Sequence, residues 1–271
     1  MAEHPATALD LPALAELFNA CFSGYSVPMQ MEENALREHI ETNGIDLDCS
    51  RVVFEERPVA FALIARRGQA AWVGGMGTVA SHRRRGLGAS ALVAAIKAAR
   101  DRGCGAVWLE VIDGNRAAAR LYERLGFVAQ RELIVWSLPA TGNDPPPFRS
   151  AGLASAHRWI VANRRSREPW QRADESLAQM RARGTPLQGL VVERDGAVSA
   201  ALVLRVDQDQ VRVLQIAATD EASCAGALLA AAGGRRDLRL ANAPVDDVSS
   251  RSLRSLGAEA VVTQHEMLLR M

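Results

Sequence analysis

The sequence has almost no lysine: Lys97 is the single one, so nearly all of its 32 basic side chains are arginines. That imbalance has the look of codon bias and implies no function. Net charge is also scarce. Thirty-two basic and 31 acidic residues leave a formal +1, so there is no global basic field and nucleic-acid binding would need a local patch. Arg83-Arg84-Arg85 is the only dense one. Cysteines are few and scattered (Cys21, Cys49, Cys104, Cys224), with no Cys-x-x-Cys pair and no histidine at ligand spacing. That excludes a metal site of the zinc-ribbon kind and fits reduced thiols. No segment reaches the roughly 18 uninterrupted apolar residues of a membrane span. Met1-Ala2-Glu3-His4-Pro5 places an acid and a proline where a signal peptide carries a basic segment and an apolar run, so a cytoplasmic protein is expected. What is present is 271 residues, 48% hydrophobic and 23% charged, enough for one large domain or two of ordinary size with a substantial core.

The first half reads as helices at 11–22 and 32–42, then strands at 51–55, 59–66 and 69–79 joined by the short breaks Glu56-Arg57-Pro58 and Arg67-Gly68, which make antiparallel hairpins. The third strand carries Gly74, Gly75 and Gly77, residues that weaken a strand and mark a bulge or a close backbone approach. A basic loop follows, Arg83-Arg84-Arg85, and opens the helix Gly86 to Arg102, with Leu87, Leu92 or Val93, Ile96 and Ala99 facing inward. Backbone N–H groups at such a helix start form an anion site. Gly75-x-Gly77-x-x-Ala80 has the outline of a dinucleotide fingerprint, but no helix starts there, and no Gly-Lys-Ser/Thr follows to make a nucleotide-hydrolysing loop. Ala106 to Val111 is the next strand, parallel by the right-handed crossover rule. Asn115 then caps a short helix that Gly126 stops, and a strand runs from Phe127 to Leu138.

The spacing Arg83-x-x-Gly86-x-Gly88 resembles the cofactor motif of the GCN5-related N-acetyltransferases (GNATs). The run Trp108-Leu109-Glu110-Val111, with Asn115, Ala118, Leu121, Tyr122 and Gly126-Phe127, resembles a second motif of that family, most of all the branch that acetylates protein amino termini. Two motifs in the right order over about 72–127 are far more specific than either alone. The resemblance implies acetyl-CoA as co-substrate and no metal. Its diphosphate would be held by Arg83, Arg84, Arg85, Gly86, Leu87, Gly88 and Ala89, and its pantetheine arm by Met76, Gly77 and Thr78, with Asn115, Ala118 and Tyr122 along the same slot. Tyr122 becomes the candidate general acid, since a phenol of pKa about 10 can protonate a thiolate of parent pKa about 8.5. Glu110, on the strand face opposite Leu109 and Val111, is a candidate base for the incoming amine or, equally, a structural carboxylate.

A proline-rich stretch over 139–149 reads as a linker between a catalytic domain at 1–138 and a second domain at 150–271. Beyond it the order of elements returns: helices at 153–163 and 170–183, strands at 187–193, 198–206 and 210–217, a helix at 222–232, a strand at 238–241, a helix at 247–256 and a last strand at 261–269. Ser255-Leu256-Gly257-Ala258 sits where Arg124-Leu125-Gly126-Phe127 sits in the first half, Leu253 replaces Tyr122, Asp246 replaces Asn115, and Asp220-Glu221 stand where the arginines were. Carboxylates there repel a diphosphate, so the second copy is degenerate. The fold expected is α/β (α+β): a tandem GNAT fold with a mixed, mostly antiparallel sheet, a splayed parallel central pair and flanking helices. Each half ends one strand short. Either each lends its last strand to the other sheet, or the linker and subunit contacts, as in a homodimer, cover the edge.

The function expected is transfer of acetyl from CoA to a primary amine, on a small molecule or a protein amino terminus, by direct attack. The alternative is a non-catalytic acyl-CoA sensor or scaffold. Acceptor contacts are expected from Phe22 to Met31 and the helix beyond. Neither nucleic acid nor membrane is an expected partner.

Overall fold

In the computed structural model, which describes residues 2–24, 30–140, 142 and 148–271, the chain opens on a strand that the sequence pattern does not announce, β1 (Ala2–Pro5). It pairs antiparallel with β2 (Arg51–Phe54), and His4 meets Phe54 edge-on at 5.4 Å. Helix α1 (Leu11–Phe22) begins as expected, with Pro12 in its first turn and Asp10 accepting a hydrogen bond from the Ala13 N–H at 2.9 Å. Then come α2 (Glu33–Asn43), β3 (Pro58–Arg67), β4 (Ala70–Thr78), α3 (Leu87–Asp101), β5 (Ala106–Ile112), α4 (Arg116–Arg124) and β6 (Val128–Leu138). On α3 it is Leu92 that faces inward, while Val93 is 48% exposed. Leu92 shares a stripe with Gly88 and Ile96 at four-residue spacing, and Val93 lies about 100° round the helix from it.

The second half supplies β7 (Arg149–Ala151), α5 (Leu153–Asn163), α6 (Asp174–Ala182), β8 (Leu187–Arg194), β9 (Ala197–Val206), β10 (Gln210–Ala218), α7 (Glu221–Ala232), β11 (Asp237–Pro244), α8 (Val248–Ser255) and β12 (Glu259–Arg270). The single helix expected over 170–183 is broken. Trp170–Arg172 is a 3-10 turn and Ala173 is extended, with the Arg172 carbonyl turned to accept from the Gln215 side-chain amide at 2.7 Å. The expected linker also ends early, since Arg149 already pairs with Val191 in β7 and β8. Among the described residues, no helix is long and apolar enough to cross a membrane.

The compact units do not follow the halves of the sequence. The first comprises 1–111, 115–130 and 266–271, and the second 112–114 and 131–265. In the first, the strand order is β1-β2-β3-β4-β5 and then the end of β12, anchored by the Met271 N–H on the Gly105 carbonyl at 2.9 Å. In the second it is β6-β11-β10-β9-β8-β7, with β6 and β11 antiparallel from Leu133↔Pro244 to Leu138↔Leu238. Of the two ways of completing each sheet, the exchange of last strands is the one observed. Met267 and Leu268 bring two buried side chains to the first unit, worth about 1.5–3 kcal/mol each. The main core of that unit lies between the sheet and α3 with α4 and includes Leu87, Leu92, Ile96, Leu109 and Tyr122. On the opposite face α1 packs Phe18 against Phe61 at 5.5 Å.

In the second unit β10 and β11 run parallel for four pairs, Gln210↔Asp237 to Val213↔Leu240, and then part. Leu214 is the bulged residue there, and Arg172 fills the gap. Its Nε donates to the Leu214 carbonyl at 2.9 Å, Nη1 lies 3.4 Å from the carbonyls of Ala241 and Asn242, and Nη2 pairs with Glu168 at 3.1 Å. Both side chains are buried. Burial pushes the Glu168 carboxyl above its ordinary range, and Arg172 opposes the rise. Beside this pair is a cavity of about 350 Å³ whose wall includes Ile216, Ala218, Asp246 and Asp247.

Two outcomes follow from this architecture. Residues 1–138 expressed alone lack the strand beside β5 and should give no cooperative thermal transition by circular dichroism, while co-expression with 139–271 should restore one; a sigmoidal melt of the isolated fragment would contradict the exchange. Arg172→Met leaves Glu168 buried without its cation and should cost about 3–5 kcal/mol in urea denaturation.

Candidate functional site

The parting of β10 and β11 has its counterpart in the first unit. β4 and β5 are parallel partners only from Ala70↔Ala106 to Trp72↔Trp108. From Val73 onward β4 keeps β3, through pairs such as Ala62↔Met76, Phe61↔Gly77 and Ala60↔Thr78, but has no further paired residue on β5. Gly74 is the bulged residue, in the place Leu214 holds in the second unit. Met76, Gly77 and Thr78 therefore lie along the opening between the strands, each partly exposed. The backbone approaches that the glycines permit are close: a Cβ on Gly77 would lie 2.6 Å from the Cys21 Cβ.

The basic loop turns into α3 at the end of β4. Gly86 is the N-cap, with φ +80 and no side chain to cap the helix, and the first intrahelical bond is Ser90 N–H to Gly86 C=O. The N–H groups of Leu87, Gly88 and Ala89 are thus those that a helix start presents outward. A Cβ on Gly88 would come within 2.7 Å of the Thr78 hydroxyl, so glycine is what lets the helix start sit against the end of β4. Arg84 is exposed with φ +62, a left-handed backbone that costs a non-glycine residue about 1–3 kcal/mol. The three arginines do different things. Arg83 donates to the carbonyls of Cys21 at 2.9 Å and Thr78 at 3.2 Å, tying α1 to β4. Arg85 pairs with Glu55 at 2.6 Å, which also lies 3.4 Å from His82. Arg84 stands in solvent between them.

The equivalent helix of the second unit is closed. Asp220 is the N-cap of α7; its carboxylate accepts from the Ser223 N–H at 2.8 Å and is held below its ordinary range chiefly by that bond. An internal anion occupies the position that α3 leaves open.

Asn115 caps α4, its Oδ1 accepting from the Ala118 N–H at 3.1 Å. Tyr122 is buried on the α3 side of the sheet, beside Phe127 (ring centroids 5.9 Å apart), in one cluster with Leu109, Val111 and, partly buried, Ala118 and Met76. Along β5, Val107, Leu109 and Val111 are buried on that side, and Glu110 alternates to the other. There the Trp72 indole Nε1–H donates to Glu110 Oε2 at 2.8 Å. Tyr122 and Glu110 hence flank β5 from its two faces just past its last pair with β4.

Two residues of the site were not anticipated from the sequence. Trp72 reads there as an ordinary strand residue. His39, on α2, places Nε2 2.8 Å from the Gly74 carbonyl and Nδ1 3.2 Å from the Asn43 amide nitrogen; burial lowers its pKa. A carbonyl only accepts, so Nε2 carries the proton and the imidazole is neutral. No spacing rule links residue 39 to residue 74; only the fold does. Of the segment expected to meet the acceptor, 25–29 lies outside the described residues. Its far end is fixed by Asn19, which bonds both the N–H (2.7 Å) and the carbonyl (3.0 Å) of Met31.

Residues 11–127 match the acetyltransferase (GNAT) family. No curated protein matches the chain. Among solved structures, a GCN5-related N-acetyltransferase from Sphaerobacter thermophilus aligns over 99% of this chain and 95% of its own at 16% identity, with a TM-score of 0.74. A putative acetyltransferase from Pyrococcus horikoshii aligns over 100% and 89% at 16% identity and 0.69. A tandem GNAT protein from the clavulanic acid biosynthesis pathway aligns over 99% and 98% at 15% identity and 0.68. At such identities the likeness is one of fold. Residues 11–127 thus match the acetyltransferase (GNAT) family model, and over its whole length the chain has the fold of the GNAT structures it aligns with, a tandem GNAT protein among them.

Proposed function

We propose that the chain transfers acetyl from acetyl-CoA to a primary amine, with the first half catalytic and the second half without chemistry of its own. The observation that carries this reading is the contrast between two equivalent helix starts: α3 opens on Gly86 with no capping side chain, and α7 is closed by the Asp220 carboxylate. Outward N–H groups beside exposed Arg84 and Arg85 suit a diphosphate; a fixed carboxylate at the same point repels one. The close approach at Gly88 fits the same ligand, because a side chain there would displace Thr78 or the helix start. Arg83 contributes by bracing the loop, through its bonds to Cys21 and Thr78.

Bound acetyl-CoA supplies an acyl group activated as a thioester. Loop residues 84–89 would hold its diphosphate, and Met76, Gly77 and Thr78 its pantetheine arm along the unpaired edge of β4, with Asn115 and Ala118 at the start of α4. A backbone N–H on that edge polarises the acyl carbonyl. On one face of β5, Glu110 takes the proton of the incoming ammonium, directly or through a water. On the other, the Tyr122 hydroxyl holds a proton for the departing sulfur, and a phenol already carries it at neutral pH. The acceptor is an amine of a small molecule or a protein amino terminus, and the cell compartment that fits such a reaction is the cytoplasm.

Calorimetry of the full chain should give one acetyl-CoA site, weakened about tenfold or more by Gly88→Val, which intrudes on Thr78. No binding at all would sink both the enzyme and an acyl-CoA sensor. In an acetyl-CoA-coupled screen of amines and amino-terminal peptides, Tyr122→Phe should retain cofactor affinity and lower kcat by about 10²–10⁴. Unchanged turnover would remove Tyr122 from the acid role, and binding without turnover on any acceptor would favour the sensor.

A further inference from the structure

We propose that Trp72 is a positioning residue that holds the Glu110 carboxylate, and that the missing side chain at Gly74 is what gives its indole room to do so. The proposal rests on the reading of Glu110 as the proton acceptor. Trp72 forms the last pair between β4 and β5, opposite Trp108. Glu110 lies two residues further on, on the same strand face as Trp108, at the point where the strands have parted. To reach it the indole must lean along β4 toward Gly74. A Cβ at Gly74 would lie 2.8 Å from Trp72 Cζ3, 3.3 Å from Cε3 and 3.0 Å from Ile45 Cδ1; the six-membered ring occupies the space that any side chain there would need. So placed, Nε1–H meets Glu110 Oε2 at 2.8 Å, and the ring is only 2% exposed. A desolvated donor on a rigid ring fixes the carboxylate's direction and favours its charged form.

The groups around the indole do not compete for this role. His39 from α2 stands edge-on to the ring at 6.0 Å, with both nitrogens engaged by Gly74 and Asn43 and its pKa lowered by burial. From β3, Ala65 is the residue opposite Trp72. Cys21 from α1 sits farther along β4, against Gly77, its thiol pushed up to about 12 by burial. The second unit supplies an internal control. In the register of the paired strands, Arg212 stands for Trp72, Leu214 for the bulged Gly74 and Ala241 for Glu110. The indole, the clearance and the carboxylate are all replaced there, and Arg172 donates to the Leu214 carbonyl.

The test uses the full chain. The indole ¹H–¹⁵N resonance absent from Trp72→Phe identifies Trp72; it should move as pH takes Glu110 through its titration and should lose that movement in Glu110→Gln. With trialanine as the amine probe, Trp72→Phe and Gly74→Ala should each lower kcat/KM by about tenfold or more while leaving the calorimetric affinity for acetyl-CoA unaltered. They should also raise the ascending limb of the pH profile by about one unit, since a carboxylate without its donor binds its proton more tightly. Trp72→Phe added to Glu110→Gln should cost nothing further. An indole resonance indifferent to Glu110→Gln overturns the proposal, as does a Trp72→Phe profile like that of the wild type when Glu110→Gln is impaired. If Glu110→Gln itself turns over normally, the acceptor reading has failed, and the intact indole titration then separates that failure from a missing hydrogen bond.

Discussion

Much of this structure depends on a constraint of backbone hydrogen bonding: two parallel strands that part company leave polar edges which the fold must satisfy in some other way. In the first unit the parting comes after Trp72↔Trp108, and the bulged Gly74 carbonyl is met by the neutral imidazole of His39. In the second it comes after Val213↔Leu240, and the corresponding Leu214 carbonyl is met by a guanidinium that also approaches the Ala241 and Asn242 carbonyls across the gap. The two solutions differ in what they leave behind. An imidazole meets one carbonyl from one side, whereas an arginine, balanced by Glu168, reaches the carbonyls of both strands.

The same divergence recurs at the helix start. α3 begins on a glycine with no side chain to offer its amides, and α7 begins on an aspartate that bonds the Ser223 amide. In the second unit charged side chains of the chain itself meet the backbone groups at both points. Asp220 does this for the amides at one end of the slot and Arg172 for the carbonyls in its middle, while Leu253 replaces the Tyr122 hydroxyl with an apolar side chain buried in the unit's core.

Much of the layout was legible because the signals were local. Asp10 and Asn115 announce their helices through capping, and both cap as the spacing implies. The alternation Val107, Leu109, Val111 places Glu110 on the other face without any tertiary information. Local signals also failed in recognisable ways. β1 and β7 are short edge strands with no apolar alternation to reveal them, and the break at Ala173 accompanies a bond from Gln215 to the Arg172 carbonyl, 43 positions away, that no local pattern shows. The roles of the arginines were hidden for the same reason. A triplet of identical side chains reads as one patch, yet Arg83 is spent on backbone carbonyls of α1 and β4, and Arg85 on Glu55. His39 and Trp72 carry no motif; what distinguishes them is the bulge at Gly74, legible as a run of glycines but not as a contact.

The placement of Tyr122 and Glu110 on opposite faces of β5 bears on how the proposed transfer is arranged. A direct attack requires that one proton leave the amine and another reach the sulfur, and a single group placed between them would have to do both in sequence. Two groups on two faces of one strand can act on opposite sides of a ligand lying in the gap, each with its own environment. Tyr122 sits in an apolar cluster with Phe127 and Leu109, which disfavours a charged phenolate and so keeps the proton available. Glu110 accepts a hydrogen bond from an indole, which holds the carboxylate in one direction. In the proposed transfer the strand between them, through its period of two, assigns the acid and the base each to its own side of the sheet.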